Sequence, residues 1–288
     1  MFSGLGVAVI TPFKHTFEVD YRALEKILHH LIDHGADYLV MLGTTGESVT
    51  LSEEEKQKIL QLAIKVNNKR LPIVAGIGGN NTLQIAEYIK NFDFNGIDGV
   101  LSVSPYYNKP NQNGIYRHYE ILSHVCPRPI IIYNVPGRTS SNITSETTLK
   151  LATNFTNIIG IKEASGNFEQ IMQIIKNKPE GFLVISGDDL LTLPQLAIGI
   201  DGVISVIANA FPAEFSQMIH SFAKDYKKSM KLHYQLEEYI RLIFLEGSPA
   251  GIKGLMKLMN FCEITVRPPL FDISEVMMEK LGILLKQN

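Results

Sequence analysis

PIIIYNVP at 129–136 and IIGIKEA at 158–164 are two near-continuous apolar runs that each end on polar residues, and residues 144–153 between them carry a helical pattern. Runs that are apolar throughout, rather than alternating, mark parallel strands covered by helices. Working outward, the same kind of run recurs at 5–13 (LGVAVITPF), 38–43 (YLVMLG), 72–78 (PIVAGIG), 99–105 (GVLSVSP), 182–189 (FLVISGDD) and 202–208 (GVISVIA), which makes eight. Helical patterns fill the intervals. Residues 21–34 put Leu24, Ile27, Leu28 and Leu31 on one face. Residues 53–66 follow Ser52, which with Glu55 has the spacing of a capping box, and their acidic first turn suits the helix dipole. Similar stretches lie at 82–94, 114–125, 167–176 and 191–199. Alternating strands and helices define an α/β chain. The count of eight predicts a (β/α)8 TIM barrel rather than a doubly wound open sheet, a choice that the even spacing alone does not make.

After residue 208 the strand signal stops. Residues 212–224, 226–245, 249–259 and 274–286 read as helices, separated by Pro212, Pro249 and Pro268-Pro269. One or two of them complete a barrel, and the rest predict a small C-terminal helical domain. The expected division is a barrel carrying the active site over 1–224 and a helical appendix over 225–288.

Composition narrows the function classes. The chain has 288 residues, 45% hydrophobic and 19% charged, the balance of a packed core rather than a disordered chain. Lys plus Arg is 27 against 29 Asp plus Glu, so the net charge of −2 lacks the basic excess of a nucleic-acid binder. No apolar run reaches the roughly 18 residues of a membrane span. The start, MFSGLGVAVITPF, lacks the basic region and cleavage site of a secretory signal. Cys126 and Cys262 lie far apart and form neither a disulfide framework nor a metal-type pair. The expectation is a cytoplasmic protein with no nucleic-acid or membrane partner.

Chemistry in a barrel sits at the carboxyl ends of the strands. Lys162 is the sharpest residue there, deep in an apolar strand behind Ile158, Ile159, Gly160 and Ile161. Burial disfavours the charged form of a lysine, and a neutral amine attacks a carbonyl to form a Schiff base. The bland reading is an ion pair with Glu163, Asp188 or Asp189. Tyr133 ends the most apolar strand, and a phenol there can give and take a proton; alone, it reads equally as a core tyrosine bonded to backbone. GTTGES at 43–48 offers glycines, hydroxyls and backbone N–H groups suited to a carboxylate, or a plain strand-to-helix turn. No Gly-Lys-Ser/Thr follows, so it is not a phosphate loop. Arg138, read as a loop residue after Pro136-Gly137, has the planar fork that suits a substrate carboxylate, with a surface salt bridge as the alternative. His30 and His34 share i, i+4 spacing but lack a third ligand; they read as a solvated face, and no metal is expected.

The constellation is more specific than any member. GTTGES at 43–48, SPYYNKP at 104–110, YNVPGRT at 133–139, GIKEASGN at 160–167, SGDD at 186–189 and GVISV at 202–206 resemble the dihydrodipicolinate synthase family of pyruvate-dependent Schiff-base aldolases, over nearly the whole chain. The resemblance implies that Lys162 forms the Schiff base with pyruvate. It implies that Tyr133 shuttles protons through Thr44 and Tyr107, the latter reaching into a neighbouring subunit. Thr45 would hold the pyruvate carboxylate and Arg138 that of aspartate 4-semialdehyde, with Gly187 and Ile204 lining the pocket. The implied product is 4-hydroxy-tetrahydrodipicolinate, a precursor of diaminopimelate and lysine, made without metal or organic cofactor. The implied assembly is a homo-oligomer, a tetramer built from dimers. Many members are inhibited by lysine at a dimer cleft; the matching positions here are Ser48, Val49, Glu53, Lys56, Asn80, Gln84 and Tyr106. Gln84 stands where a carboxylate would pair with the ligand's α-amino group, and Lys56 adds a like charge that Glu53 offsets. The expectation is weak or absent inhibition.

Three other readings compete. Another pyruvate-dependent aldolase, such as a sialic acid lyase or a 2-keto-3-deoxy sugar acid aldolase, would want hydroxyl-binding groups where Arg138 stands. A pyridoxal-phosphate barrel would need a phosphate cradle after strands seven and eight, where GVISVIANA at 202–210 has little glycine. A catalytically inactive barrel that binds a ligand would be expected to have lost Lys162 or Tyr133, and both remain.

Overall fold

The structure, a computed structural model, describes residues 2–287. Its strands are β1 (Gly4–Ala8), β2 (Tyr38–Met41), β3 (Ile73–Gly76), β4 (Gly99–Val103), β5 (Ile130–Asn134), β6 (Ile158–Glu163), β7 (Leu183–Ser186) and β8 (Gly202–Ser205). They follow one another in chain order in a closed barrel, the (β/α)8 architecture that the run count predicts. The helices are α1 (Tyr21–Asp33), α2 (Glu53–Asn67), α3 (Thr82–Asn91), α4 (Gln112–Val125), α5 (Pro136–Thr139), α6 (Ser145–Asn154), α7 (Phe168–Asn177), α8 (Thr192–Ala197), α9 (Pro212–Ser221), α10 (Tyr226–Leu245), α11 (Ala250–Leu258) and α12 (Glu275–Gln287). None of the described helices is long and apolar enough to cross a membrane.

By compactness the chain forms two units, one built on Pro72–Ile204 and the other on Gly4–Leu71 with the chain from Ser205 onward. In the first, β3 to β8 pair in parallel, and every residue of β5 is buried. In the second, β1 pairs with β2 through Val7 opposite Leu39. Helix starts are set by side-chain caps in both units. Asp20, Asn81, Thr144 and Asn167 each accept from the backbone N–H three residues on, a contact that contributes about 1 kcal/mol per helix. The Ser52 capping box is complete: Ser52 Oγ takes the Glu55 N–H at 3.2 Å, and Glu55 Oε2 takes the Ser52 N–H at 2.9 Å.

Two segments depart from the sequence reading. The run at 5–13 leaves the ladder after Ala8, because Asn209 caps it: Asn209 Nδ2 donates to Ala8 O at 2.8 Å and its Oδ1 accepts from Ile10 N at 3.1 Å. The segment after β5 is not a loop but the single turn α5. Pro136 starts it with a fixed φ and no amide to satisfy, and Ser140 ends it in a left-handed conformation at φ 56°.

Helix α4 carries a buried titratable group. His118 Nδ1 lies 2.9 Å from Thr82 Oγ1, and burial pushes the imidazolium down from the ordinary 6.5 to about 4. The unfolded chain therefore takes up a proton at a higher pH than the folded one, so acid favours unfolding across that window. Stability is expected to be full above pH 6.5 and to fall by up to about 3 kcal/mol as the pH drops toward 4. Urea melts at pH 7 and pH 5 check this. His118→Asn, which keeps an acceptor for Thr82, should lose most of the difference between them.

Candidate active site

Lys162 and Tyr133 are brought together by strand register. Tyr133 of β5 lies opposite Lys162 of β6, and Lys162 Nζ sits 4.5 Å from the centroid of the Tyr133 ring. Both are buried, at 6% and 7% exposure. The alignment depends on an irregularity. Ile130 pairs with Ile158 but Ile131 pairs with Gly160, so Ile159 is one extra residue in β6. Gly160 lets β7 close in, since a Cβ there would lie 2.8 Å from Leu183 O. Gly187, just past β7, is a second enforced glycine: its N–H donates to Glu163 O at 2.8 Å, and a Cβ would meet Ala164 Cβ at 2.6 Å and Lys162 Cε at 3.0 Å. The lysine stem occupies the room that a side chain at 187 would need. Ile204 is buried in β8.

Of the ion-pair partners offered for Lys162, Glu163 and Asp188 are engaged elsewhere. Successive strand residues point to opposite faces, so Glu163 cannot share the side of Lys162. Its buried carboxylate is instead held by Asn134 Nδ2 at 3.0 Å, Gln170 Nε2 at 2.9 Å and the Ser165 N–H at 2.8 Å. Asn134 also donates to Asn142 Oδ1 at 2.8 Å and accepts from Ile143 N at 2.9 Å. Asp188 Oδ1 accepts from Leu191 N at 3.0 Å. The residues next to Tyr133 and Lys162 thus form a satisfied polar frame on the other face of the sheet. The sequence reading named Glu163 but missed this role, which strand alternation alone would have suggested.

The GTTGES loop belongs to the second unit. Thr44 is exposed and Thr45 buried. The Gly46 and Glu47 amides are used by the turn itself, donating to Gly43 O and Thr44 O at 3.1 Å each. Thr11 Oγ1 holds Gly46 O at 2.7 Å. Glu47, whose role the sequence did not disclose, sits in a left-handed conformation at φ 51° with its side chain buried. One carboxylate oxygen pairs with Lys253 Nζ of α11, and the other accepts from Arg267 N at 2.9 Å. The Arg267 guanidinium donates to Thr50 O at 2.6 Å and pairs with Glu55, whose carboxyl it holds down to about 2.

Tyr107, after β4, is 87% exposed at φ 73°, and Tyr106 beside it is half-buried. Arg138 is exposed on α5. Of the positions matched to a lysine cleft, Ser48 opens a short 3-10 turn and Val49 is exposed. Glu53 and Lys56 pair with each other at 2.6 Å. Asn80 accepts from Asn108 Nδ2 at 3.2 Å through its carbonyl, and Gln84 is exposed in the first turn of α3. His30 is not on a solvated face: it is half-buried, its ring 4.5 Å from that of Phe261 and 4.8 Å from that of His34.

A closed parallel barrel thus holds a buried lysine at the end of β6, with a tyrosine beside it and a glycine that leaves room for the lysine stem. Over residues 1–288 the chain matches the model of the dihydrodipicolinate synthetase family, and it belongs to that family. It is 50% identical to the 4-hydroxy-tetrahydrodipicolinate synthase of Flavobacterium psychrophilum over 99% of this chain and 98% of that one. Among solved structures, the dihydrodipicolinate synthase of Aquifex aeolicus superposes with a TM-score of 0.95 at 40% identity, covering 99% of this chain and 98% of that one. The enzyme of Cyanidioschyzon merolae with lysine bound gives 0.95 at 36% identity over 99% and 98%.

Proposed function

We propose that the chain condenses pyruvate with aspartate 4-semialdehyde to 4-hydroxy-tetrahydrodipicolinate, on the route to diaminopimelate and lysine. The observation that supports this most directly is the buried Lys162 amine over the Tyr133 ring, at 4.5 Å. The amine attacks C2 of pyruvate, and the keto oxygen leaves as water, giving an imine. Loss of a methyl proton gives an enamine, whose carbon bonds to the aldehyde carbon of the second substrate while the aldehyde oxygen takes a proton. The second substrate's amino nitrogen then bonds to C2 and closes the ring, and Lys162 departs as a free amine. Tyr133 moves the protons, relayed by Thr44 and by the partner subunit's copy of Tyr107. Thr45 holds the pyruvate carboxylate, and Gly187 and Ile204 shape the pocket wall. The lysine itself is the electron sink, so the reaction uses no metal or organic cofactor. A coupled assay with the reductase that consumes the product tests the whole reading; no turnover with these two substrates would end it.

Arg138 receives the carboxylate of the semialdehyde. Arg138→Ala is expected to lower use of the semialdehyde by about 10- to 150-fold, the loss of one charge-assisted contact of roughly 1.5–3 kcal/mol, and to leave pyruvate imine formation intact. Equal loss in both steps, measured by steady-state kinetics and borohydride trapping, would make Arg138 structural.

The working assembly is a cytoplasmic homotetramer of dimers, in which the 87% exposed Tyr107 is covered by a partner. Residues 225–288 are an appendix to the barrel of 1–224. Lysine is a weak inhibitor or none. The mutual pairing of Glu53 and Lys56 at 2.6 Å cancels their charges, so the neutral Gln84 amide decides, with roughly half the strength of a carboxylate contact. Lysine titrated into the coupled assay should leave activity largely intact; half-maximal inhibition below about 1 mM, near −4 kcal/mol of binding, would overturn this.

A further inference from the structure

We propose that Glu47 and Lys253 are positioning residues for pyruvate binding: their buried pair clamps the GTTGES loop to α11 and holds Thr44 and Thr45 where the substrate carboxylate meets them. The proposal rests on the role given to Thr45 above. Glu47 lies two residues beyond Thr45 in the same turn, and its φ of 51° is a conformation that a residue with a Cβ holds only when its surroundings impose it. Those surroundings are complete. Glu47 and Lys253 side chains are 1% and 0% exposed. The carboxylate is engaged at both oxygens, by Lys253 Nζ and by the Arg267 N–H at 2.9 Å. Thr50 Oγ1 holds the Glu47 carbonyl at 3.0 Å. Lys253 is fixed in turn, donating to Thr265 O at 3.0 Å and lying 4.1 Å from the centroid of the Phe13 ring.

A need for stability alone does not account for this pair. Two charges brought out of water recover little net stability compared with apolar side chains of the same volume, whereas they fix a geometry that apolar contacts leave loose. The geometry being fixed is that of the loop, and its far anchor is in the helical chain after the barrel strands. Those helices thereby act on substrate binding.

The test uses the full-length protein with the double substitution Glu47→Gln/Lys253→Met, which leaves no charge buried alone, beside Lys253→Arg, which keeps the cation. The double variant is expected to raise KM for pyruvate about 10- to 100-fold, the scale of a misplaced binding group. KM for the semialdehyde and the fraction of sites trapped by borohydride at saturating pyruvate should stay near wild type. Hydrogen exchange should show residues 43–50 losing protection while the strands keep theirs, and Lys253→Arg should recover part of the pyruvate affinity. An unchanged KM with only a lower melting temperature, or undiminished protection of 43–50, would overturn the proposal. A wild-type protein that traps no pyruvate would instead bring down the assigned reaction, and the exchange measurement would still decide whether the pair holds the loop.

Discussion

Lys162→Ala is expected to abolish both turnover and borohydride-dependent mass labelling with pyruvate. No other group replaces the amine at the end of β6. Among the described residues the other lysine with so buried a side chain, Lys253 of α11, is committed to Glu47 and to Thr265 O. Lys162→Arg is expected to fail as completely, because a guanidinium stays protonated and is no nucleophile. Intact-mass spectrometry after reduction reads the result directly. Full labelling in Lys162→Ala would move the nucleophile elsewhere, with Lys253 the first residue to examine.

The second large effect falls on stability. Glu47→Ala, made alone, leaves the Lys253 ammonium buried without its counter-charge, and removing one partner of such a pair costs about 3–5 kcal/mol. Against a total of about 5–15 kcal/mol for an ordinary domain, that loss is severe. The sign of its pH dependence follows from the lysine. Burial pulls the Lys253 ammonium below its ordinary value of 10.5, and Glu47 opposes that pull. Without Glu47 the folded state sheds the proton more readily than the unfolded chain does, so the stability of the variant should rise as pH climbs from 7 toward 10. Chemical denaturation at those two pH values measures it; a variant as stable as wild type at pH 7 would show that the pair is not closed in solution.

Sequence made the barrel legible because its signal is local. Eight apolar runs separated by capped amphipathic stretches announce themselves within windows of ten residues, and Ser52 with Glu55 formed the capping box that its spacing predicted. Lys162 and Tyr133 stood out for the same reason, as polar residues ending apolar strands. What stayed hidden was carried by partners far along the chain. Glu47 and Lys253 are 206 positions apart, and neither has a neighbourhood in sequence that foretells the other. The Asn134–Glu163 contact spans 29 positions, but there alternation was readable and the error lay in treating consecutive residues as neighbours in space. Arg138 on a helical turn rather than a loop was missed because four residues are too few for a periodicity to show.

The extra residue at Ile159 makes the reactive position a matter of odd and even counting. With it left out of the ladder, Lys162 falls in phase with Tyr133; were Ile159 instead to pair with Ile131, Ile161 would stand opposite Tyr133 and the amine would turn to the side now occupied by Glu163. A substitution at Ile159 changes packing and leaves every later pair in place, whereas one residue added or removed between Gly160 and Lys162 exchanges the two walls of the strand at the lysine. Homologous chains can therefore drift in which apolar residues build β6, but the count from Gly160 to Lys162 is held fixed by the pairing with β5. In an alignment, a gap between Gly160 and Lys162 would mark a chain whose lysine no longer faces the Tyr133 ring.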